Sequence, residues 1–165
     1  MSSSIPDVLT AAVLTVSDSA ARGEREDLGG PAVAEVLERY KFHIVAREIV
    51  PDDERVIREA LIRMSSLARL VVTTGGTGIA ARDVTPEATR AVSERLLEGV
   101  AERMRADGAK HTKFAALSRA VCGTRGQAVI LNLPGKPSGA VESLESVIDL
   151  IPHALQLLAG QTAHC

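Results

Sequence analysis

The chain has 165 residues, 45% of them hydrophobic and 2% aromatic, with no Trp. That length predicts one domain, placed over 1–165 with an ordered part at about 8–159, and the core has to be aliphatic. Nineteen basic against 21 acidic residues leave a formal charge of −2, which lacks the basic footprint of a nucleic-acid protein, and one Tyr and two Phe offer no stacking platform for bases.

Residues 8–16, VLTAAVLTV, form an apolar run without helical period and read as a buried strand ending at Ser17-Asp18-Ser19. A polar loop follows from Ala20 to Gly30. Pro31 then stands where a first helical residue would, opening a helix to Tyr40 with Glu35 and Arg39 at i,i+4. His43 to Val50 is a second, β-branched strand stopped by Pro51. Asp53 can cap the next helix, whose Val56, Ile57, Ala60, Leu61 and Met64 fall on one face and Arg55, Arg58, Glu59 and Arg63 on the other.

Leu70-Val71-Val72-Thr73-Thr74 is the third strand, and Gly75 to Val84 a loop. Thr85 as cap, Pro86 at the first position and Glu87 near the positive end start another helix. That helix is expected to run to about Ala106 with an interruption at Gly99. Leu117–Val121 and Gln127–Leu133 read as strands joined through Cys122-Gly123-Thr124-Arg125-Gly126. Pro134-Gly135-Lys136-Pro137 breaks the chain before a helical stretch, Ser138 to Leu158, that Pro152 splits in two. Aliphatic strands alternating with helices predict a three-layer α/β/α domain with a mostly parallel sheet and a local antiparallel hairpin.

Cys122 and Cys165 make neither a disulfide framework nor a metal-ligand spacing. Met1 to Asp7 has no charged and apolar regions of a secretion signal, and no apolar run reaches the ~18–20 residues of a membrane span. These features together predict a cytoplasmic protein without membrane contact. The four His, at 43, 111, 153 and 164, show no ligand spacing and read as surface or packing residues.

Ligands of open α/β sheets gather outside the carboxyl ends of the strands. This directs attention to Ser17-Asp18-Ser19, Pro51-Asp52-Asp53, Thr73 to Glu87, and Pro134-Gly135-Lys136-Pro137. Gly75, Gly76 and Gly78, directly after a buried strand, let backbone N–H groups approach an anion, and a helix N-terminus follows within ten residues. The loop is no Walker A, because Gly-Lys-Ser/Thr is missing. It contains a relaxed dinucleotide pattern, Gly76-x-Gly78-x-x-Ala81, although that pattern should open its helix directly. A carboxylate beside a phosphate cradle repels its ligand unless a hard cation lies between them. Mg²⁺ accepts one or two carboxylates together with phosphates and water, so Asp83, with Asp52 from the neighbouring strand tip, is the candidate ligand. Ser17 has no His partner, so nucleophilic catalysis has no candidate. Phosphoryl or nucleotidyl transfer fits better, since it asks the protein to align reactants and screen their charge.

The segments Thr73-Thr74-Gly75-Gly76-Thr77-Gly78 and Arg82-Asp83-Val84-Thr85-Pro86-Glu87-Ala88-Thr89 resemble the signature of the molybdopterin adenylyltransferases. These are the MogA/MoaB-type molybdenum cofactor proteins, which include the plant and animal G domains such as gephyrin's. Leu14-Thr15-Val16-Ser17-Asp18, Leu117-Ser118-Arg119-Ala120-Val121-Cys122-Gly123 and Asn132-Leu133-Pro134-Gly135 agree in the same order, so the resemblance runs from about Ala11 to Leu158. It implies an ATP- and Mg²⁺-dependent reaction in which the terminal phosphate of molybdopterin attacks the α-phosphorus of ATP and releases pyrophosphate. By the same resemblance Asp83 is the catalytic and metal-binding carboxylate, and Asp52 the second acidic position. Gly75, Gly76, Thr77 and Gly78 form the phosphate loop. Ser17 and Asp18 meet the nucleotide, Asn132, Pro134 and Gly135 line its pocket, and Ser118 lies on the pterin side. A homotrimer and a downstream molybdenum insertase are the implied partners.

The chain departs from many relatives at Glu98-Gly99, where they have Pro-Gly. Lys136 falls in a variable loop, where it is a candidate phosphate contact. Two other readings remain: a non-catalytic molybdopterin-binding or trimeric scaffold module of the same fold, and a nicotinamide-dependent oxidoreductase using the relaxed pattern. Retention of the full Arg82 to Glu87 motif favours the active branch over MoaB-like relatives lacking it.

Overall fold

The computed structural model describes residues 8–161. Cys165, His164 and the Met1 to Asp7 segment lie outside the described residues. One six-stranded sheet organises the rest: β1 (Thr10–Val16), β2 (His43–Val50), β3 (Leu70–Thr74), β4 (Arg95–Leu96), β5 (Cys122–Arg125) and β6 (Ala128–Leu133), in spatial order β2-β1-β3-β6-β5-β4. The β2-β1-β3-β6 part is parallel, and β5 and β4 continue it antiparallel. The helices are α1 (Asp18–Ala21), α2 (Gly29–Arg39), α3 (Glu54–Leu67), α4 (Thr85–Val92), α5 (Glu98–Gly108), α6 (Pro137–Val147) and α7 (Ile151–Leu158).

Period-two alternation in the central strands divides the core into two layers. Ala11, Val13, Leu70, Val72, Val129, Leu131 and Leu133 face one side, where residues of α2, α5, α6 and α7 cover them. Ala12, Leu14, Val16, Val71 and Ile130 face the other side, against α3 and α4. Four of the five α3 residues expected on the inner face, Ile57, Ala60, Leu61 and Met64, are buried, each large one contributing ~1.5–3 kcal/mol. Val56 is partly buried against the same cluster. The chain leaves β1 for α2 on one face and β2 for α3 on the other, so the strand order reverses between β1 and β3. A crevice opens at their carboxyl ends, where such sheets hold ligands.

Several local expectations need correction. Residues 18–21 are a short helix rather than loop, because the Ser17 hydroxyl accepts the Ala20 N–H at 3.2 Å and caps it. Helix α2 starts at Gly29 rather than Pro31: the Asp27 carboxylate accepts the Gly30 N–H at 3.0 Å, satisfying a free donor of the first turn. Arg39 pairs across the surface with Glu145 at 3.2 Å rather than with Glu35. Thr85 lies inside α4 instead of capping it, since its hydroxyl turns inward to donate to the Gly75 carbonyl at 3.0 Å.

The helix expected to about Ala106 is broken at Ser93–Leu97 rather than at Gly99, because Glu94 N–H and Leu97 N–H donate to carbonyls of β5 and add β4 to the sheet. The expected strand Leu117–Val121 is not one: residues Lys113–Leu117 form a 3-10 turn. The strand begins at Cys122, and its hairpin turns at Gly126, with φ 58°, instead of over 122–126. Asp53 caps α3, accepting the Val56 N–H at 3.0 Å, and Pro152 opens α7 as expected.

Candidate active site

The crevice is built by close approach of strand tips. Gly75 has φ 102°, and a Cβ there would strike the Val16 carbonyl oxygen. Gly76 has φ 69°, and its Cβ would strike Thr85 Oγ1 and lie 3.1 Å from Asp52 Oδ1. These two glycines are required by position and conformation together. The loop is pinned at its start by Gly75 N–H donating to the Leu133 carbonyl at 3.1 Å and by Thr85 N–H donating to the Gly76 carbonyl at 3.2 Å. Thr74 Oγ1 donates to the Pro134 carbonyl at 2.8 Å, joining this loop to the one after β6.

At the neighbouring tips Asp18 and Asp52 grip each other reciprocally. Asp18 N–H donates to Asp52 Oδ2 at 2.9 Å, and Asp52 N–H donates to Asp18 Oδ1 at 3.0 Å. Arg82 closes on Asp18 in bidentate fashion, at 3.0 and 2.8 Å. The guanidinium's hydrogen bonds, then the bond from the Asp52 backbone, hold the Asp18 carboxyl below its ordinary range. Asp52 is pushed the other way, first by burial and also by the charges of Asp18 and Asp83. Asp83 sits in its own tight turn: Asp83 N–H donates to the Ala80 carbonyl at 3.0 Å, and Ala80 N–H to Asp83 Oδ2 at 3.0 Å.

Two cavities meet here. The smaller, about 410 Å³, has Ser17, Arg25, Asp27, Asp52 and Gly75 on its walls. The larger, about 560 Å³, has Thr77, Gly78, Phe114, Ser118, Asn132 and Pro134. Gly76, Asp83, Gly135 and Lys136 line both. The residues expected around nucleotide are therefore divided: Ser17 and Gly75 on one side, Thr77, Gly78, Asn132 and Pro134 on the Ser118 side. Asp18 lines neither and is held by Arg82. Asn132, fully buried, accepts the Val121 N–H at 3.1 Å and donates to Thr73 Oγ1 at 3.1 Å and Thr89 Oγ1 at 2.9 Å. Its polar atoms bind strand to helix.

Sequence reasoning passed over Arg119. Its guanidinium donates to the Gly78 carbonyl at 2.7 Å, the Asp83 carbonyl at 2.8 Å and Glu87 Oε2 at 2.7 Å, while its N–H donates to the Thr77 carbonyl at 2.9 Å. The available signal was the Ser118-Arg119 dipeptide in the resembling block, but nothing local said that it reaches back across the sheet.

Among the described residues no three or more His, Cys, Asp or Glu side chains gather as a metal centre. A Mg²⁺ ion that would keep several waters and take one or two protein carboxylates needs no such group. The chemistry present suits a hard cation. Asp52 Oδ1 and Asp83 Oδ2 face the spaces that a Cβ on Gly76 or Gly78 would take, at 3.1 and 2.8 Å. The dinucleotide alternative loses its geometry, since α4 opens at Thr85, beyond the Gly76 to Ala81 pattern.

Residues 12–153 match the family model described as a probable molybdopterin binding domain. The chain belongs to this family. It is 45% identical over 155 residues to a molybdopterin adenylyltransferase of Helicobacter pylori J99, covering 90% of this chain and 86% of that one. It is 38% identical over 171 residues to the molybdopterin adenylyltransferase of Escherichia coli K12, covering 93% and 87%. The crystal structure of the molybdopterin biosynthesis enzyme MoaB from Thermus thermophilus superposes with a TM-score of 0.87 at 48% identity, covering 92% of this chain and 97% of that one. The fold expected from the sequence is thus that of the family.

Proposed function

We propose that the protein is a molybdopterin adenylyltransferase using ATP and Mg²⁺. The observation that carries this reading is the placement of Asp83, on the boundary shared by a polar cavity and a larger, more apolar one. The names of relatives 38–45% identical over most of the chain support it. The larger cavity, with Ser118, takes the pterin. The smaller one, with Ser17 and Asp52, takes the nucleotide phosphates, and the two anions meet over Gly76 and Gly135.

An oxygen of the pterin's terminal phosphate bonds to the α-phosphorus of ATP while the α–β P–O bond breaks and pyrophosphate leaves. Asp83 and Asp52 would hold Mg²⁺, which when bound screens the charge of both phosphate groups. The glycine loop presents N–H groups without side-chain obstruction, and Lys136 adds a cation at the junction. Asp18 acts by holding Asp52 in place. Because the phosphate is already nucleophilic, the residues align and screen rather than abstract a proton. A cytoplasmic homotrimer that passes its product to a molybdenum insertase completes this reading.

The decisive assay incubates the protein with molybdopterin, ATP and Mg²⁺ and measures pyrophosphate and adenylylated molybdopterin in equal amounts. Pterin binding with no ATP turnover overturns the enzyme in favour of a binding module.

A further inference from the structure

We infer that Arg119 is a positioning residue that fixes Asp83 from the wall of the larger cavity, a role that rests on the adenylyl-transfer reading for its consequence but not for its geometry. The loop carrying Asp83 is poorly supported by itself, with Ile79, Ala80, Ala81 and Arg82 all exposed. A second side-chain tether from its tip to the rest of the molecule, the Arg82–Asp18 pair, has Arg82 66% exposed; ion pairs so open to water contribute little.

Arg119 supplies what is missing. Its guanidinium reaches Gly78 on the limb entering the loop and Asp83 and Glu87 on the limb leaving it, while its backbone N–H adds Thr77. One planar fork therefore sets the distance between the two limbs. Because it grips the Asp83 carbonyl and not its carboxylate, it fixes the backbone from which the carboxylate projects while leaving that carboxylate free of the guanidinium. Glu87, half-buried in the first turn of α4, aims the fork. Lysine cannot reproduce this, since it offers a point charge without the fork.

Arg119 follows Ser118 directly, so the pterin-side wall and the carboxylate at the junction are coupled through one dipeptide. A displacement of even ~1 Å in a reacting group costs about 100-fold in rate.

The test uses the full chain. Arg119→Met is expected to lower kcat by about 10–100-fold, the range for residues that orient a ligand-binding side chain. Arg119→Lys should fall between it and the parent. Placed on an Asp83→Asn background, Arg119→Met should cost less than about 2-fold more, because two residues acting through one group are not additive. Independent, multiplying losses overturn the proposal. A second readout needs no activity. The Ala80 and Asp83 amides are bonded inside the turn, and their hydrogen exchange should accelerate in Arg119→Met, or in Arg119→Lys if the first variant fails to fold. Unchanged exchange overturns the proposal even if the assay shows no adenylyl transfer in the parent, an outcome that would instead sink the functional reading.

Discussion

The smaller cavity is walled by Ser17, Arg25, Asp27 and Asp52, whereas the larger one has Ile79, Met104, Phe114 and Leu117 among its walls. Their origins differ as much as their chemistry. The smaller cavity lies at the carboxyl ends of β1, β2 and β3, where topology alone places a ligand. The larger shares the carboxyl ends of β3 and β6 through Thr77, Gly78, Asn132 and Pro134, but α5, α6 and the 3-10 turn over Lys113–Leu117 complete it, segments with no such rule. Division of labour follows: one side manages charge, the other offers an apolar bed, and Asp83 and Lys136 belong to both.

The sharpest way to break that picture is at the shared carboxylate. Asp83→Asn should lower pyrophosphate release by ~10²–10³-fold, the size of effect seen when a preorganised electrostatic group is lost, while pterin binding persists. An unaltered rate removes Asp83 from the chemistry. Lys136→Met strikes the other charged residue that both cavities share, and losing one charge-assisted contact of ~1.5–3 kcal/mol should lower kcat/KM for both substrates by about 10-fold or more. An effect on one substrate alone would assign Lys136 to a single cavity.

Residues on one side only should separate the substrates. Steady-state kinetics of Arg25→Ala should raise KM for ATP about 3–5-fold, and of Phe114→Ala the KM for molybdopterin by a similar factor, each the worth of ~1 kcal/mol. Exchanged effects would reverse the placement of the ligands.

The smallest effect concerns stability. Burial raises the Asp52 pKa above the ordinary 3.8, so its charged form weakens the ligand-free fold. That penalty is absent below the unfolded pKa and complete once pH passes the raised folded value. Asp52→Asn, which keeps an oxygen to accept the Asp18 N–H, should therefore melt slightly higher than the parent at pH 7, by little because the site is partly open to water, with the gap closing as pH falls towards 3.8. Thermal scans across that range check the sign. Asp18 works oppositely: Arg82 lowers its pKa, so its stabilising contribution is present above the unfolded pKa and disappears as pH drops through the folded one.

How much of this was legible follows the same division. The Leu70–Thr74 strand, the Ile57, Ala60, Leu61 and Met64 face and the Asp53 cap are local patterns that the fold keeps. The Gly75 to Asp83 loop could be placed at the crevice because it directly follows a buried strand. Leu117–Val121 failed because its apolar character suits a strand, but its backbone partners lie elsewhere: Arg119 N–H goes to Thr77, and Val121 N–H to the Asn132 side chain. The break at Ser93–Leu97 was invisible for the same reason, since Glu94 and Leu97 find their acceptors in β5. Arg119 and Arg82 share that opacity, as the partners of their side chains are 32–41 and 64 residues away.

The mutual grip of Asp18 and Asp52 makes two distant positions into one inheritable unit. Each backbone donor is satisfied by the other's side chain, so replacing either residue with one that lacks a side-chain oxygen strands an N–H at the opposite tip and loosens the seam between the first two strands. Lineages that change one are expected to change both, and a designer who wishes to retune the acidity of this corner has to rewrite the couple together.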